Sequence, residues 1–424
     1  MVDANQTFVI VGGGLAGAKA AETLRAEGFT GRVILICDER DHPYERPPLS
    51  KGYLTGSDER DSVFVHEPAW YAQAEIELHL GQPAVHLDRG TKAVTLGDGT
   101  RIHYDKLLLA TGAEPRRLDI PGTDLAGVHH LRRLAHADRL RGVLASLGRD
   151  NGHLVIAGGG WIGLEVAAAA RGYGAEVTIV EPEPTPLHRV LGPELGSLFT
   201  DLHREHGVRF HFGARLTEIT GQDGMVLAAR TDDGEEHPAH SVLAAIGAAP
   251  RTGLADSAGL ALADRAHGGG VLVDTSLRTS DPDIYAAGDV AAAEHPLFGT
   301  RIRVEHWANA LNGGPAAARA MLGREMTYDR VPYFFSDQYD VGLEYSGWAP
   351  PGSYDQVLLR GDATKREFIA FWLSEGRVLA GMNVNVWDVT EPIQLLIRSG
   401  QRVDPEGLAD PTVPLGALVR EQGA

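Results

Sequence analysis

Short runs of consecutive apolar residues, each closed by a turn, recur through the first two thirds of the chain. Residues 7–17 (TFVIVGGGLAG) read as a buried strand, a glycine turn and the start of a helix. The spacing predicts that helix over residues 15–27, with Ala and Leu on its inner face. Residues 32–39 (RVILICDE) read as a buried parallel strand ending in acid, and 42–53 (HPYERPPLSKGY) as a proline-rich loop. A further buried strand covers 104–110 (YDKLLLA). The same order of strand, glycine turn, small-residue helix, strand and acid then returns over 153–184, about 146 positions on, as two copies of one unit would require. Residues 242–253 read as strand and turn, and 279–291 as turn, short strand and a terminal acid. From Met326 the texture changes to strand-like segments, YFFSDQYDVGLEYSG, DQVLLRG and REFIAFWLSEGRVLAGMNVNV, with a hairpin expected at Ser374-Glu375-Gly376. TEPIQLLIRSG predicts one helix, capped by Thr390 and stopped at Gly400. The expected class is α/β, with two Rossmann-like dinucleotide-binding domains and a C-terminal α+β domain.

Charge and cysteine content narrow the function. The 424 residues carry 39 Lys+Arg against 57 Asp+Glu, a net charge of −18. That argues against any binding to nucleic acid or membrane that relies on bulk positive charge. One cysteine, Cys37, allows no intrachain disulfide, no dithiol redox centre and no four-cysteine metal site. Its place before Asp38 on a buried strand predicts a structural thiol. His203 and His206 are three apart on a segment that reads as a helix, with His211 beyond, but no carboxylate–cysteine framework accompanies them, so no metal is expected. No Lys or Arg precedes Lys19, and Asp3 stands where a signal peptide would be positive. The longest apolar run, from Leu154, is broken by Gly158, Gly159, Gly160 and Glu165, too soon for a membrane span. The expectation is a cytoplasmic protein.

Both glycine turns carry chemistry. In Gly12-x-Gly14-x-x-Gly17 the first glycine permits the tight turn, the second lets backbone approach a pyrophosphate, and the third packs helix on strand. The helix N-terminus offers free N–H groups to the phosphates, and Asp38 at the next strand end is placed for a ribose hydroxyl. Gly158-x-Gly160-x-x-Gly163 repeats the device, with Glu181 in the place of the acid. A carboxylate there favours NADH over NADPH, whose extra phosphate it repels, while Arg189, eight positions on, would admit NADPH. Two such sites suit FAD and a nicotinamide cofactor, which carry hydride transfer themselves.

With these motifs in place, the chain resembles the FAD- and NADH-dependent ferredoxin reductases of oxygenase systems, such as those serving putidaredoxin, rubredoxin and biphenyl dioxygenase, which share the glutathione-reductase-like fold. The resemblance spans essentially the whole chain. It rests on FVIVGGGLAG, PYERPPLSK, LLLATGAEPR, VIAGGGWIGLE, IYAAGDVA and VEHWANALNGGPAAARAML. It implies a discontinuous FAD-binding domain over 1–115 and 249–325, an NAD-binding domain over 116–248, and a C-terminal domain over 326–424. It implies FAD contacts at Gly12, Gly14, Ala16, Gly17, Asp38, Arg46, Lys51, Val85, Ala110, Thr111, Gly112, Arg132, Asp289 and Trp307. The nicotinamide cofactor would use Gly158, Gly160, Ile162, Gly163, Glu181, Arg189 and Gly247. Lys51 would lie near the flavin N5 and O4, paired with Glu165, and Trp307 would stand at the flavin edge facing the ferredoxin.

Relatives that reduce disulfides carry a cysteine pair near this proline loop, and residues 42–53 have none. Electrons would therefore pass from NADH to flavin and then to an external acceptor, a 2Fe–2S ferredoxin. Arg301 and Arg303, just before the Trp307 segment, are candidates for its docking, with residues 131–141 (LRRLAHADRLR) as a second arginine-rich stretch. Phe335 and Tyr339 either line the same face or pack in the core. Two other activities fit these residues: an NADH oxidase or quinone reductase, and an NADH-sensing interaction protein similar to apoptosis-inducing factor. A monomer and a dimer both remain open.

Overall fold

The apolar runs become parallel strands. Thr7–Val11, buried along its last four residues, lies between Arg32–Ile36 and Lys106–Leu109, pairing Phe8 with Val33 on one side and with Lys106 on the other. Strands buried on both faces read as continuous apolar runs, as these do. The computed structural model describes residues 5–419. The chain divides into two compact units, the first made of residues 1–46, 60–114 and 248–332, the second of 47–59, 115–247 and 333–424.

In the first unit a five-stranded parallel sheet runs in the order Ile284–Ala286, Lys106–Leu109, Thr7–Val11, Arg32–Ile36, Ile76–His79. Helix Leu15–Ala26 packs on this sheet and against helix Trp307–Met321. The two helices approach closely because the facing residues are small: a Cβ on Gly314 would lie 2.1 Å from the carbonyl oxygen of Ala16. An antiparallel meander, Ala84–Asp88, Ala93–Leu96 and Arg101–His103, belongs to the same unit.

The second unit repeats the parallel design in the order Val208–Phe212, Glu176–Glu181, His153–Ala157, Ser241–Ala244, Val128–His129. Helix Trp161–Tyr173 follows the second glycine turn. A meander of Leu216–Gln222, Met225–Thr231 and Glu236–Pro238 is added to it. The C-terminal residues form a five-stranded antiparallel sheet, ordered Tyr333–Gln338, Val341–Gly347, Arg377–Val384, Glu367–Ser374, Gln356–Asp362. The hairpin expected at Ser374 forms: Ser374 pairs with Arg377, and Glu375 and Gly376 both take positive φ, the two-residue turn that matches strand twist. Helix Thr390–Ser399 stops at Gly400, in the left-handed conformation. Its expected cap does not form, because the Thr390 hydroxyl donates to Glu344 instead. Among the described residues, no helix is long and apolar enough to cross a membrane.

Candidate functional site: two glycine cradles and a buried lysine–glutamate pair

Three glycines of the first turn are explained by the chain itself. Gly12 has φ +127°, and a Cβ there would sit 2.0 Å from the Ala110 carbonyl oxygen. A Cβ on Gly17 would meet the Gly12 carbonyl oxygen at 2.0 Å, and one on Gly13 would meet Cys37 Sγ at 2.3 Å. Gly14 is different. Its φ of −88° and ψ of −176° suit any residue, and no atom lies within 4 Å of its missing Cβ. Neither backbone strain nor packing demands glycine there. Open space beside backbone at the N-terminus of helix Leu15–Ala26 is what a pyrophosphate needs.

The remaining first-unit residues sit as follows. Asp38 is held by Arg251 at 3.0 Å. Arg46 donates to Glu39 and to the Tyr44 hydroxyl. Asp289 is buried in the turn Gly288–Val290. Ala110 is buried, the Thr111 hydroxyl donates to the Arg251 carbonyl, and Gly112 takes φ +67°. Val85 stands 56% exposed on its meander strand. Trp307, the first residue of its helix, donates its indole N–H to Glu45 Oε2 at 3.1 Å. Cys37 is buried, and burial, with Asp38 and Glu39 adding to it, pushes its thiol up to about 12.

The second turn repeats the logic. Gly158 has φ +103°, and a Cβ on Gly163 would lie 2.2 Å from the Gly158 carbonyl oxygen. Gly160, at φ −79° and ψ −179°, again has nothing within 4 Å of its missing Cβ. Glu181 reaches back to this loop: its buried carboxylate accepts from the Gly159 N–H at 2.6 Å and from the Glu183 N–H at 2.9 Å. Arg189 is paired with Glu183 and not with Glu181. Ile162 is 41% exposed in the first turn of the helix, and Gly247 takes φ +93° with its carbonyl accepting from the Arg116 N–H.

Lys51 and Glu165 come together in the second unit. The ammonium lies 2.8 Å from Glu165 Oε1, with the two side chains 14% and 4% exposed. A buried carboxylate must be paired and hydrogen-bonded. Here Oε1 also accepts from the Ser336 hydroxyl at 2.6 Å, and Oε2 accepts from the Ser50 hydroxyl. The Phe335 ring lies 5.2 Å from Lys51 Nζ, within cation–π range. Asp337 is exposed on its strand, yet partial desolvation by its surroundings raises its carboxyl pKa, with Lys51 opposing and Glu165 adding to the rise. Sequence reasoning missed Ser50, Ser336 and Asp337. A signal was present: along Tyr333–Gln338 the buried positions are Phe334, Ser336 and Gln338, so two polar residues occupy the inward face of a strand.

Other expected residues have different surroundings. Arg132 is half-buried two residues before helix Leu134–Arg149. Arg301 donates to the carbonyls of Val273 and Ala292, and Arg303 to those of Gly268 and Asp289 and to Glu305. Tyr339 stacks on His206 with ring centroids 3.6 Å apart, and His203 is fully buried with Nε2 against Gln338. His211 has a separate set of partners, Asp233, Glu235 and His237.

A family model described as pyridine nucleotide-disulphide oxidoreductase matches residues 6–314, and one described as reductase C-terminal matches 333–419. The probable ferredoxin reductase CtmF of Castellaniella defragrans is 37% identical over 419 residues, 98% of this chain and 100% of the relative. The crystal structure of the ferredoxin reductase for the CYP199A2 system from Rhodopseudomonas palustris superposes with a TM-score of 0.92 at 37% identity, covering 98% of this chain and 100% of that one. The covalent putidaredoxin reductase–putidaredoxin complex gives a TM-score of 0.91 at 34% identity, over 98% of this chain and 99% of that one.

Proposed function

The chain belongs to the pyridine nucleotide-disulphide oxidoreductase family, and from that membership we propose that it is an NADH-dependent flavoprotein reductase whose acceptor is a 2Fe–2S ferredoxin feeding a haem monooxygenase or a dioxygenase. FAD and NAD(H) are its cofactors. When bound, FAD supplies hydride acceptance from NADH and release of electrons one at a time. The observation that carries the choice of acceptor is the state of the only sulfur in the chain that could exchange with a disulfide. Cys37 is buried beneath Gly13 with its thiol pushed up to about 12, so it offers no thiolate near neutral pH. An external acceptor must take the electrons. The likeness to ferredoxin reductases over nearly the full length supports a ferredoxin in that role.

We assign Gly14 and Gly160 to the two pyrophosphates, Asp38 to the ribose of FAD and Glu181 to the ribose of NADH. Lys51 is assigned to offset negative charge that develops on the reduced flavin, held in place by Glu165. Trp307 is assigned to the acceptor-facing edge. Arg301 and Arg303 already serve internal carbonyls and carboxylates, which favours docking led by the indole over docking led by charge. The net charge of −18 also weighs against long-range attraction to an acidic ferredoxin. A single buried thiol suits a reducing compartment, and a cytoplasmic location is proposed on that ground.

The test is NADH-driven cytochrome c reduction with and without added 2Fe–2S ferredoxin. Strong stimulation by at least one ferredoxin is expected. Failure of a panel of ferredoxins to stimulate turnover, with the flavin still reduced by NADH, would overturn the acceptor assignment.

A further inference from the structure

A second cluster of chemistry lies in the same unit as the second glycine turn, on residues that the proposed electron transfer does not use. His211 stands on Val208–Phe212, the edge strand of the parallel sheet, and His237 on the meander strand Glu236–Pro238. Their facing nitrogens, His211 Nδ1 and His237 Nε2, are 2.8 Å apart, and Glu235 Oε2 lies 3.5 Å from His211 Nδ1. One ligand atom from each of these three residues falls within 4.8 Å of the other two. We propose that His211, His237 and Glu235 form a binding site for a divalent transition ion of the Zn2+ class.

The tautomer favours coordination. His211 Nε2 lies 2.7 Å from Asp233 Oδ2, and a ring N–H that donates to this carboxylate leaves the Nδ1 lone pair facing His237 and Glu235. A carboxylate behind a histidine ligand is the usual way to fix the ring and raise its basicity. Asp233 is itself oriented, accepting from the Thr231 hydroxyl at 2.6 Å and from the Glu235 N–H at 3.3 Å. The tight turn between Thr231 and Glu235 therefore delivers both the ligand Glu235 and the carboxylate that orients His211. Without an ion the two rings can share one hydrogen. Two nitrogens bound to the same tetrahedral Zn2+ are about 3.3 Å apart, so the rings need separate by only about 0.5 Å.

Access and ligand type agree with this class of ion. Glu235 is 67% exposed and Asp233 47%, while His211 is 14% exposed, so the ion would enter from the carboxylate side. Two imidazoles and one carboxylate suit Zn2+ and its neighbours better than Ca2+ or Mg2+, which prefer all-oxygen sets. The nearby cation, Arg209, is tied to Glu176, which moderates its repulsion. A bound ion would pin the edge strand to the meander, with a fourth position left to water.

The experiment uses the flavin-loaded full chain, stripped with a chelator, then titrated with Zn2+ against a chromophoric competitor. Co2+ in place of Zn2+ gives visible bands that report the ligand set. One ion per chain is expected. His211→Gln and His237→Gln should abolish that equivalent, and Asp233→Asn should weaken it by about 10- to 100-fold. Because the chain has 18 histidines, the double variant His211→Gln/His237→Gln sets the background. Binding no tighter than that background, or Co2+ bands unchanged in it, overturns the site. If a histidine variant fails to fold, exposed Glu235→Gln replaces it, and unchanged affinity in that variant likewise overturns the site. None of these readouts depends on the acceptor, so ferredoxin reductase activity can fail while the site stands, and the reverse.

Discussion

Gly160→Ala separates the part of the glycine motif that serves the fold from the part that serves a ligand. At Gly160 the backbone is ordinary, so alanine introduces no strain, and its methyl enters open space. Loss of chain entropy from the unfolded state favours alanine by roughly 0.4–1 kcal/mol. Gly160 is also the N-cap of helix Trp161–Tyr173, where alanine is worse than glycine by about 0.5–1 kcal/mol. The two terms oppose, and the net change in stability should stay within about 1 kcal/mol. For a chain of this size that moves the melting temperature by roughly 4 °C or less. Gly163→Ala is the counterpart. There the methyl meets a backbone carbonyl at 2.2 Å, a clash that neither side can relieve by rotating, and the cost should be roughly 1–3 kcal/mol or more. The functional effects should run the other way around in relation to stability. In Gly160→Ala the methyl takes the space assigned to the NADH pyrophosphate, and affinity should fall at least about tenfold, or 1.4 kcal/mol. Thermal melts of the flavin-loaded protein give the first quantity, and the NADH dependence of single-turnover flavin reduction gives the second. A Gly160→Ala protein that melts normally and binds NADH as tightly as the parent would refute the reasoning. So would one that fails to fold.

Three further outcomes are expected. Lys51→Gln should slow flavin reduction by NADH, and Ser336→Ala should slow it by less, with Ser336→Thr restoring the rate; normal stopped-flow traces for all three would remove this cluster from the reaction. Glu181→Ala should shift the ratio of kcat/KM for NADH over NADPH toward NADPH, and an unchanged ratio would end its role at the ribose. Burial pushes the His203 ring down to about 4, with Gln338 pulling it partly back, whereas an unfolded histidine titrates near 6.5. The unfolded chain then takes the proton first, so stability should be full above about pH 6.5 and fall as pH drops toward 4, as His129 and His153 also require. Urea melts across that window that show no loss would contradict a neutral buried ring.

What the sequence made legible follows from what is local. The two glycine turns, the acids that follow them and the apolar strands are set by sterics within about 30 residues, and they appear where the pattern puts them. The hairpin at Glu375-Gly376 was equally readable, because positive φ at both positions is a property of the turn itself. Thr390 was misread for the opposite reason. A threonine at a helix start looks like a cap until a distant glutamate, Glu344, competes for its hydroxyl. For Arg301 and Arg303 the sequence shows the charge but not the internal carbonyls that their guanidinium groups also serve. Ser336 lies 171 residues from the carboxylate it donates to, and no spacing rule reaches that far.

The two glycine turns are one duplicated device set in two different surroundings. Their backbones are alike, with the first glycine at φ +127° and +103° and the third closed against the first carbonyl at 2.0 and 2.2 Å. They differ in what lies beside the glycine between the first two glycines of each motif, Gly13 and Gly159. Beside Gly13 it is the sulfur of Cys37, a neutral and buried atom that contributes packing and no charge. Beside Gly159 lie Pro186 and the Glu181 carboxylate, which accepts the Gly159 N–H. A loop N–H committed to an internal carboxylate is not available to a ligand phosphate, and the same carboxylate puts negative charge at the strand end. With Glu181 assigned to the NADH ribose, both effects would act against the additional phosphate of NADPH. The carboxylate of the first turn, Asp38, is instead matched by Arg251, so that end of the first cradle carries little net charge. The side chain at the position of Cys37 or Glu181 thus sets whether a neutral sulfur or a carboxylate lies beside the turn. Cys37 fills the volume under Gly13, and the same burial that makes it fit keeps its thiol from ionising near neutral pH.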